Sequence, residues 1–519
     1  MGYKITNIYV ITMVAVIGGA LFGFDIASMS AILGTQQYKC FFNQTGTNSQ
    51  GLCGGPTSAN QGGISAAMPG GSWVGALASG FVTDYLGRRG AIRSGSVIWC
   101  IGSAIVCSSY GIAQLVVGRF INGLSVGILS AQVPVYVAEL AQPSKRGQVV
   151  GAQQPPAWRT PWGLQMVPAV LLFGLVFLLP ESPRWLAKKN RWDEAHEVLA
   201  SVHAKGDRNA PFVQAELQEI REMVEFERQN SDATYLDLFK GPMLYRTHLG
   251  MFTQIWSQLT GMNVMMLYIT YVFGMAGLTG NSNLVASSIQ YVINVVMTIL
   301  ALLFIDRWGR RTPLLVGSTL MMVFMFANAG IMASYGRPAP PGGLNHTPEQ
   351  SWDLSHAPKA AKGVIACTYL FVASFAPTWG PVSWIYPPEL YPLRLRGKAV
   401  ALSTSSNWIF NFALSYFVPP AFENIKWKVY LVFGVFCFAM TVHVFFAFPE
   451  TAGKTLEEVE TMFTTPGLTP WKTTVQYHHV RRLEQGAIQS DKTADIHAEE
   501  GTAQGPKSSE KETTVSQIE

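Results

Sequence analysis

The residues with the most chemical potential in this 519-residue chain are the few charges placed where water is scarce. Eleven long apolar runs cover most of the first 450 positions. Away from the run ends, Asp25 is the lone acid and Arg119 the lone strong base, with His443 and the end residue His248 completing the ionisable set. Each such charge costs at least ~2.5 kcal/mol to insert into a bilayer, so it is a functional candidate by default. Counted from one membrane face, Asp25 lies 17 residues from Ile8 and Arg119 lies 20 residues from Glu139. At 1.5 Å per helical residue these depths are about 26 and 30 Å. Two charges at matching depth are least costly as a pair. Protonation of Asp25 would release Arg119, and re-pairing would expel the proton. The plainer alternative is a static ion pair that ties two helices together. Other chemistry is poorly represented. Gly118-Arg-Phe-Ile-Asn-Gly123 lacks the Gly-Lys-Ser/Thr of a phosphate loop. The 9 His have no metal-ligand spacing, and no nucleophile constellation is present. Neither an enzyme nor a cofactor is expected.

Composition fixes the setting. Charged residues make up 13%, about half the roughly 25% of soluble domains. Apolar residues reach 49%, with 14 Trp and 49 Gly. Such a chain belongs in a lipid bilayer, and its formal charge of +5 suggests no nucleic-acid partner. A span needs about 20 apolar residues. The runs are 8–33, 64–83, 91–109, 112–138, 162–179, 248–278, 284–305, 312–333, 363–387, 399–419 and 429–448. The first exceeds the h-region of a secretory signal and reads as a spanning helix that serves as its own insertion signal.

Basic residues cluster in alternate loops: Arg88, Arg89 and Arg93; Lys145 and Arg146; Arg184 to Arg191; Arg307, Arg310 and Arg311; Arg394, Arg396 and Lys398. The positive-inside bias puts these loops, and both termini, in the cytoplasm. Two N-glycosylation sequons, at Asn43 and Asn345, then fall outside. Four of the six Cys lie in apolar runs. Cys40 and Cys53 share a hydrophilic loop, where a disulfide and two free thiols are both open. Residues 181–246 read as cytoplasmic amphipathic helices, and the polar stretch from about 464 to 519 as a disordered tail.

The chain repeats itself. Asp84-Tyr-Leu-Gly-Arg-Arg89 matches Asp306-Arg-Trp-Gly-Arg-Arg311. Glu139 stands seven residues before Arg146, and Glu389 seven before Arg396. Leu179-Pro-Glu-Ser182 matches Phe448-Pro-Glu-Thr451. Two similar halves are a transporter signature. The spacing then breaks: 42 residues separate Glu139 from Glu181, but 61 separate Glu389 from Glu450. The longer interval holds two runs and the shorter holds one. Lys145–Arg146 and Arg184–Arg191 both require the cytoplasm, yet a single crossing divides them. About 20–30 residues, one crossing plus a turn, are therefore expected to be missing after Gln154; a half-inserted segment is the alternative.

Several motifs, in order, resemble those of sugar porters of the major facilitator superfamily, over residues 18 to about 463. They are Gly23-Phe-Asp25, Asp84…Gly87-Arg88-Arg89, Gly118-Arg119-Phe120, Glu139…Lys145-Arg146-Gly147, Pro180-Glu-Ser-Pro-Arg-Trp185, Gln258-Leu-Thr-Gly-Met-Asn263, Asp306…Gly309-Arg310-Arg311, Gly380-Pro-Val-Ser-Trp384, Glu389…Arg396-Gly397 and Asn407-Trp408. The fungal hexose/proton symporters are the nearest in look. The resemblance implies an all-α polytopic fold of two six-helix bundles, here lacking most of the fifth helix. It implies a monosaccharide substrate, hexose or pentose, held between the bundles and coupled to H+ through Asp25 and Arg119. It offers Gln154, Gln258, Asn263, Asn294, Trp384, Asn407 and Trp408 as sugar contacts. Amides suit hydroxyls because they both donate and accept, and aromatic faces suit the C–H side of a sugar ring. Ser257 and Leu267 stand where many sugar porters carry Gln and Tyr.

The repeated cytoplasmic charges read as a gate, with Asp84, Arg88, Arg89, Glu139 and Arg146 mirrored by Asp306, Arg310, Arg311, Glu389 and Arg396. Positive-inside topology explains the bases but not the repeated acids. The expected organisation is an N-terminal bundle at 1–180, a cytoplasmic helical loop at 181–246, a C-terminal bundle at 247–450 and a tail at 451–519. The chain is expected to act as a plasma-membrane sugar symporter working by alternating access. The alternatives are a transporter-like sugar sensor, which a short tail disfavours, and an inactive product lacking one helix.

Overall fold

The computed structural model describes residues 7–47, 51–140, 165–229, 234–454, 456–464 and 469–474. Helix α1 (Ile8–Leu33) is followed by the short α2 (Gln36–Phe41), capped by Thr35, whose hydroxyl accepts from the Tyr38 amide. Helix α3 (Ser58–Cys107) covers 50 residues and is interrupted once. Straight, it would reach about 75 Å, more than twice the hydrocarbon thickness of a bilayer. It is two crossings, divided at Gly87, where φ is 78°. Helix α4 (Ile112–Leu140) carries the chain back, and α5 (Met166–Val176) is shorter than the expected run 162–179. Residues 141–164, including Gln154 and Arg146, lie outside the described residues.

Helices α6 (Pro183–Lys188), α7 (Trp192–His203) and α8 (Pro211–Gln229) form the connection between the halves. On α8, Val213, Leu217, Ile220 and Val224 are buried at helical spacing. They share an apolar cluster with Ala195, Val198 and Leu199 of α7. The expectation of amphipathic helices in this stretch holds.

The next expected run, 248–278, is three pieces rather than one. Helix α9 (Gly241–Leu259), α10 (Met262–Leu267) and α11 (Ile269–Met275) are separated at Gly261 and Tyr268. Gly261 has φ 82°, and a Cβ there would lie 2.9 Å from the Phe433 ring. A left-handed residue stops the helix, and only glycine fits beside that ring. Periodicity alone cannot register such a break, because the apolar pattern continues through it.

Helices α12 (Gly280–Trp308) and α13 (Arg311–Tyr335) follow, joined at Gly309 with φ 80°. The segment 363–387 is likewise divided, into α14 (Pro358–Phe375) and α15 (Trp379–Leu390), around Pro377. Helix α16 (Leu393–Asn424), α17 (Lys428–Ala447) and a short α18 (Leu456–Thr464) complete the fold. Among the described residues, six helices are long and apolar enough to cross a membrane. The expected tail beyond 474 lies outside the described residues.

Two apolar cores result. One, from the first half, includes Ile11, Leu21, Trp99, Val126 and Leu172. The other, from the second half, includes Met265, Phe371, Tyr386 and Phe433. They are not fully separate. Met29, Ile32, Leu33, Tyr38 and Phe42 of the first half are packed into the second core. Trp408 of the second half is packed into the first.

Gly261→Ala should lower thermal stability by roughly 1–2 kcal/mol from the left-handed backbone alone, with the Phe433 contact adding to it. Gly174→Ala, in a helix with nothing within 4 Å of the new Cβ, should hold or slightly raise stability. Melting temperatures of the detergent-solubilised protein compare the two.

Candidate functional site

Asp25 and Arg119 meet. The guanidinium makes a two-pronged contact, Nη2 to Oδ2 at 3.1 Å and Nη1 to Oδ1 at 3.4 Å. Its Nε donates to the Ile64 carbonyl at 3.0 Å. Asp25 is 1% exposed and Arg119 is 2% exposed. Helices α1 and α4 supply the pair, and the first crossing of α3 supplies the carbonyl. Such a pair costs heavily to desolvate and heavily to break, since removing one partner strands the other.

In the second half, amides form a chain. Asn263 Nδ2 donates to Gln258 Oε1 at 2.7 Å, and Gln258 Nε2 donates to Asn407 Oδ1 at 3.0 Å. Asn407 Nδ2 donates to Gln254 Oε1 at 2.6 Å, and Gln254 Nε2 donates to the Ser383 carbonyl at 2.8 Å. The chain runs through α10, α9, α16 and α15. The break at Gly261 is what turns Asn263 back towards Gln258. Each amide keeps a second N–H and further lone pairs for a neutral polyol. Gln254 was not foreseen from the sequence, although it lies one helical turn before Gln258. Asn294 lies close by, its Nδ2 3.6 Å from Met266 Sδ. Trp384, on α15, is 39% exposed. Trp408 is 2% exposed and lies in the apolar core between the halves, so in this state it packs. Gln154 lies outside the described residues.

At the arginine-rich end, the repeat becomes a shared geometry. Glu181 Oε1 accepts from the backbone N–H groups of Arg88 and Arg89, at 3.0 and 3.2 Å. Glu450 accepts from those of Arg310 and Arg311, at 2.8 and 3.0 Å. The Arg89 side chain donates to the Val176 and Phe177 carbonyls, and Arg311 to that of Phe445. The positive φ at Gly87 opens the backbone to its acid. A Cβ there would lie 2.7 Å from Glu181 Oε2. Burial pushes the Glu181 carboxyl above the usual carboxylate range, against the pull of these N–H groups and of Arg89 and Arg88. Glu181 and Glu450 were absent from the expected gate, although both lie in the repeated Pro-Glu motif. Arg310 also pairs with Glu389, Nη2 to Oε1 at 2.9 Å, and Thr451 Oγ1 donates to Glu389 Oε2 at 2.6 Å. Arg396 donates to the Tyr391 carbonyl at 3.2 and 3.3 Å. Asp84 is exposed. Glu139 and Asp306 lie on helices α4 and α12, but their side chains, like all of Arg146, are outside the described residues.

At the opposite end the halves are in close contact. Cys40 and Cys53 form a disulfide, resolving the alternative left open by the sequence. Next to Cys40 on α2, Lys39 is 4% exposed and its Nζ donates to Thr347 Oγ1 of the second half at 2.6 Å. Thr270 Oγ1 donates to the Ser30 carbonyl, and deeper along the same seam Trp73 Nε1 donates to Ser405 Oγ at 2.9 Å. A Cβ on Gly62 would lie 2.6 Å from the Tyr416 carbonyl oxygen. This end is sealed. Asn43 Nδ2 donates to Thr47 Oγ1, whereas the Asn345 side chain is outside the described residues. Burial lowers the Lys39 ammonium to about 8, against the attraction of Glu349. Burial raises the Glu349 carboxyl to about 7, offset by its own backbone N–H and by Lys39, and reinforced by Glu423.

Known proteins are similar to this chain throughout. The sugar (and other) transporter family matches residues 11–156 and 154–463. The two stretches meet at the point where the sequence leads to a missing crossing. A high-affinity glucose transporter of Kluyveromyces lactis is 46% identical over 490 residues, covering 90% of this chain and 87% of the relative. An MFS glucose transporter of Aspergillus flavus is 42% identical, covering 94% and 95%. Among solved structures, the proton:xylose symporter XylE of E. coli, bound to 6-bromo-6-deoxy-D-glucose, has the same fold. Its TM-score is 0.69 at 24% identity, covering 88% of this chain and 99% of that one.

The raised Glu349 value sets a pH dependence for the sealed end. Between about 4.5 and 7 the docked carboxyl holds a proton that the undocked one releases. Docking is therefore favoured by acid and weakens as pH rises through about 7. The lowered Lys39 value acts only above about 8. Spin labels at positions 60 and 355, one on each half, should shift towards the short distance between pH 7.5 and 5.5. Glu349→Gln should remove that shift.

Proposed function

The chain belongs to the sugar transporter family of the major facilitator superfamily, and on that premise we propose that it carries a hexose across the membrane together with a proton, by alternating access. The observation that carries this reading is the desolvated pair of Asp25 and Arg119. Ionised Asp25 balances Arg119. A proton on Asp25 removes the balance and leaves Arg119 with the Ile64 carbonyl, so that α1 and α4 are no longer held by charge. The state of the pair then depends on which side of the membrane supplies the proton.

The sugar is held in the second half by Gln258, Asn263 and Asn407, with Asn294 beside them and Trp384 offering a stacking face. The amide chain from Asn263 to Ser383 supports this, because its members are preorganised by one another and uncharged. The arginine-rich end would be the cytoplasmic gate, built on Glu181 and Glu450 as much as on Glu389 and its arginines. The sealed disulfide end would face outward, which corresponds to a stage of the cycle closed to the outside. A plasma-membrane location with both termini inside follows the basic loops. Glycosylation is proposed at Asn43 and Asn345, and the bundle boundaries near 180, 246 and 450 follow the repeat.

Radiolabelled hexose uptake in transport-null cells, with and without an uncoupler, tests the reading. The wild-type chain should accumulate hexose above the external level and lose that accumulation with the uncoupler. Asp25→Asn should bring the inside-to-outside ratio down to about one while keeping sugar exchange, since coupling is lost and binding is not. Uphill uptake by Asp25→Asn would overturn the coupling assignment. Binding without uptake by the wild type would favour a sensor, and neither binding nor uptake an inactive chain.

A further inference from the structure

One face of α12 is polar over its first five turns, from Asn283 to Thr298. Asn283, Ser287, Gln290, Asn294 and Thr298 recur at spacings of four, three, four and four, which aligns them on one side of a helix. The other side is apolar and open, with Val285, Ile289, Val292, Val296 and Ile299 all exposed. The polar face therefore points into the protein. Four of its five side chains have partners. Asn283 donates to the Thr270 carbonyl at 2.8 Å, and Ser287 to Asn283 Oδ1 at 3.2 Å. Asn294 reaches Met266 Sδ, and Thr298 donates to the Asn294 carbonyl at 2.8 Å.

Gln290 is the exception. It is 0% exposed, and neither its amide nitrogen nor its amide oxygen has a hydrogen-bond partner. A buried primary amide with both ends unmet is costly, and apolar residues of the same length are available to a helix at no such cost. Its surroundings are those of the sugar-holding amides. Gln290 is one turn, about 6 Å, from Asn294. Its neighbour Tyr291 donates to the Met266 carbonyl at 2.9 Å. Met266 lies one turn from Asn263 on α10. The same face reaches the seam between the halves through Thr270, which donates to the Ser30 carbonyl of α1.

We propose that Gln290 is a further sugar-contact residue, whose amide receives and donates to one hydroxyl of the substrate one helical turn beyond Asn294. This rests on the reading of the chain as a hexose transporter. The group is matched to a neutral hydroxyl, which both donates and accepts, and not to an ion, which would use only one end of the amide. Gln290 would thereby favour sugars that carry that hydroxyl over those that lack it.

Gln290→Met keeps the length and removes the amide. Uptake of glucose and of its singly deoxygenated analogues, at matched surface expression, reads out the contact. The Michaelis constant for glucose should rise about tenfold with little change in maximal rate, which is the loss of one hydrogen bond made on binding. For one analogue, the one lacking the partner hydroxyl, the variant and the wild type should be equal. The ligand-free variant should melt at or above the wild-type temperature, because an unmet polar group has been removed, and glucose should raise its melting temperature less. A uniform rise across all the analogues, an unchanged constant for glucose, or a destabilised ligand-free variant would each overturn the proposal. Gln290→Asn, which shortens the amide but keeps it polar, should lie between the two. Absence of hexose uptake by the wild type would instead overturn the functional reading itself.

Discussion

A carboxylate and a guanidinium taken out of water can be tolerated only together, and this constraint organises the first half of the protein. Asp25 and Arg119 come from helices separated by 94 positions in sequence. Their contact fixes the relative height of α1 and α4, and the Ile64 carbonyl ties in the first crossing of α3. Three helices thus converge on one charge pair. An ion pair of this kind is poor evidence of stability, because a well-packed apolar replacement is often as stable. It is retained where the charge itself has a use, and the proposed proton coupling is such a use.

The two halves answer the same local problem in the same way. Each must turn a chain sharply between two crossings and expose consecutive arginines. Each places a glycine at positive φ, Gly87 or Gly309, and lets an acid from the far end of the half, Glu181 or Glu450, accept from the two following backbone N–H groups. The acid anchors the turn through the backbone, leaving the arginine side chains for other carbonyls and acids. The halves diverge at the centre. The first presents a buried charge pair and the second a chain of neutral amides, which divides proton chemistry from carbohydrate chemistry between them in the proposed mechanism.

The contact between the halves is uneven. It is polar and close at the disulfide end, where Lys39 meets Thr347, and again deeper in the seam, where Trp73 meets Ser405. Apolar side chains are exchanged as well, Met29 and Tyr38 one way and Trp408 the other. A buried polar contact can be undone by hydration or by protonation, whereas an apolar one must simply separate. A seam that combines both suits the proposed alternating access, in which two bundles close firmly and still part.

Much of this was legible in the sequence because it follows from solvent. Apolar runs of twenty residues can only be spans. The lone internal acid and base must pair. The repeated Gly-Arg-Arg and Pro-Glu motifs disclosed two halves, and the unequal spacing is the ground for expecting a crossing to be missing after Gln154. The tertiary structure decided what depends on three-dimensional proximity. It joined Cys40 to Cys53, broke the run 248–278 at Gly261, moved Glu181 and Glu450 into the arginine turns, and put Trp408 in a core. It also singled out Gln290, one polar residue among five on its face, as the one whose amide is met by nothing. Hydropathy records how much water a residue tolerates, but not which neighbour replaces that water. That depends on backbone breaks at single glycines and on contacts between segments far apart in the chain, and neither leaves a periodic trace.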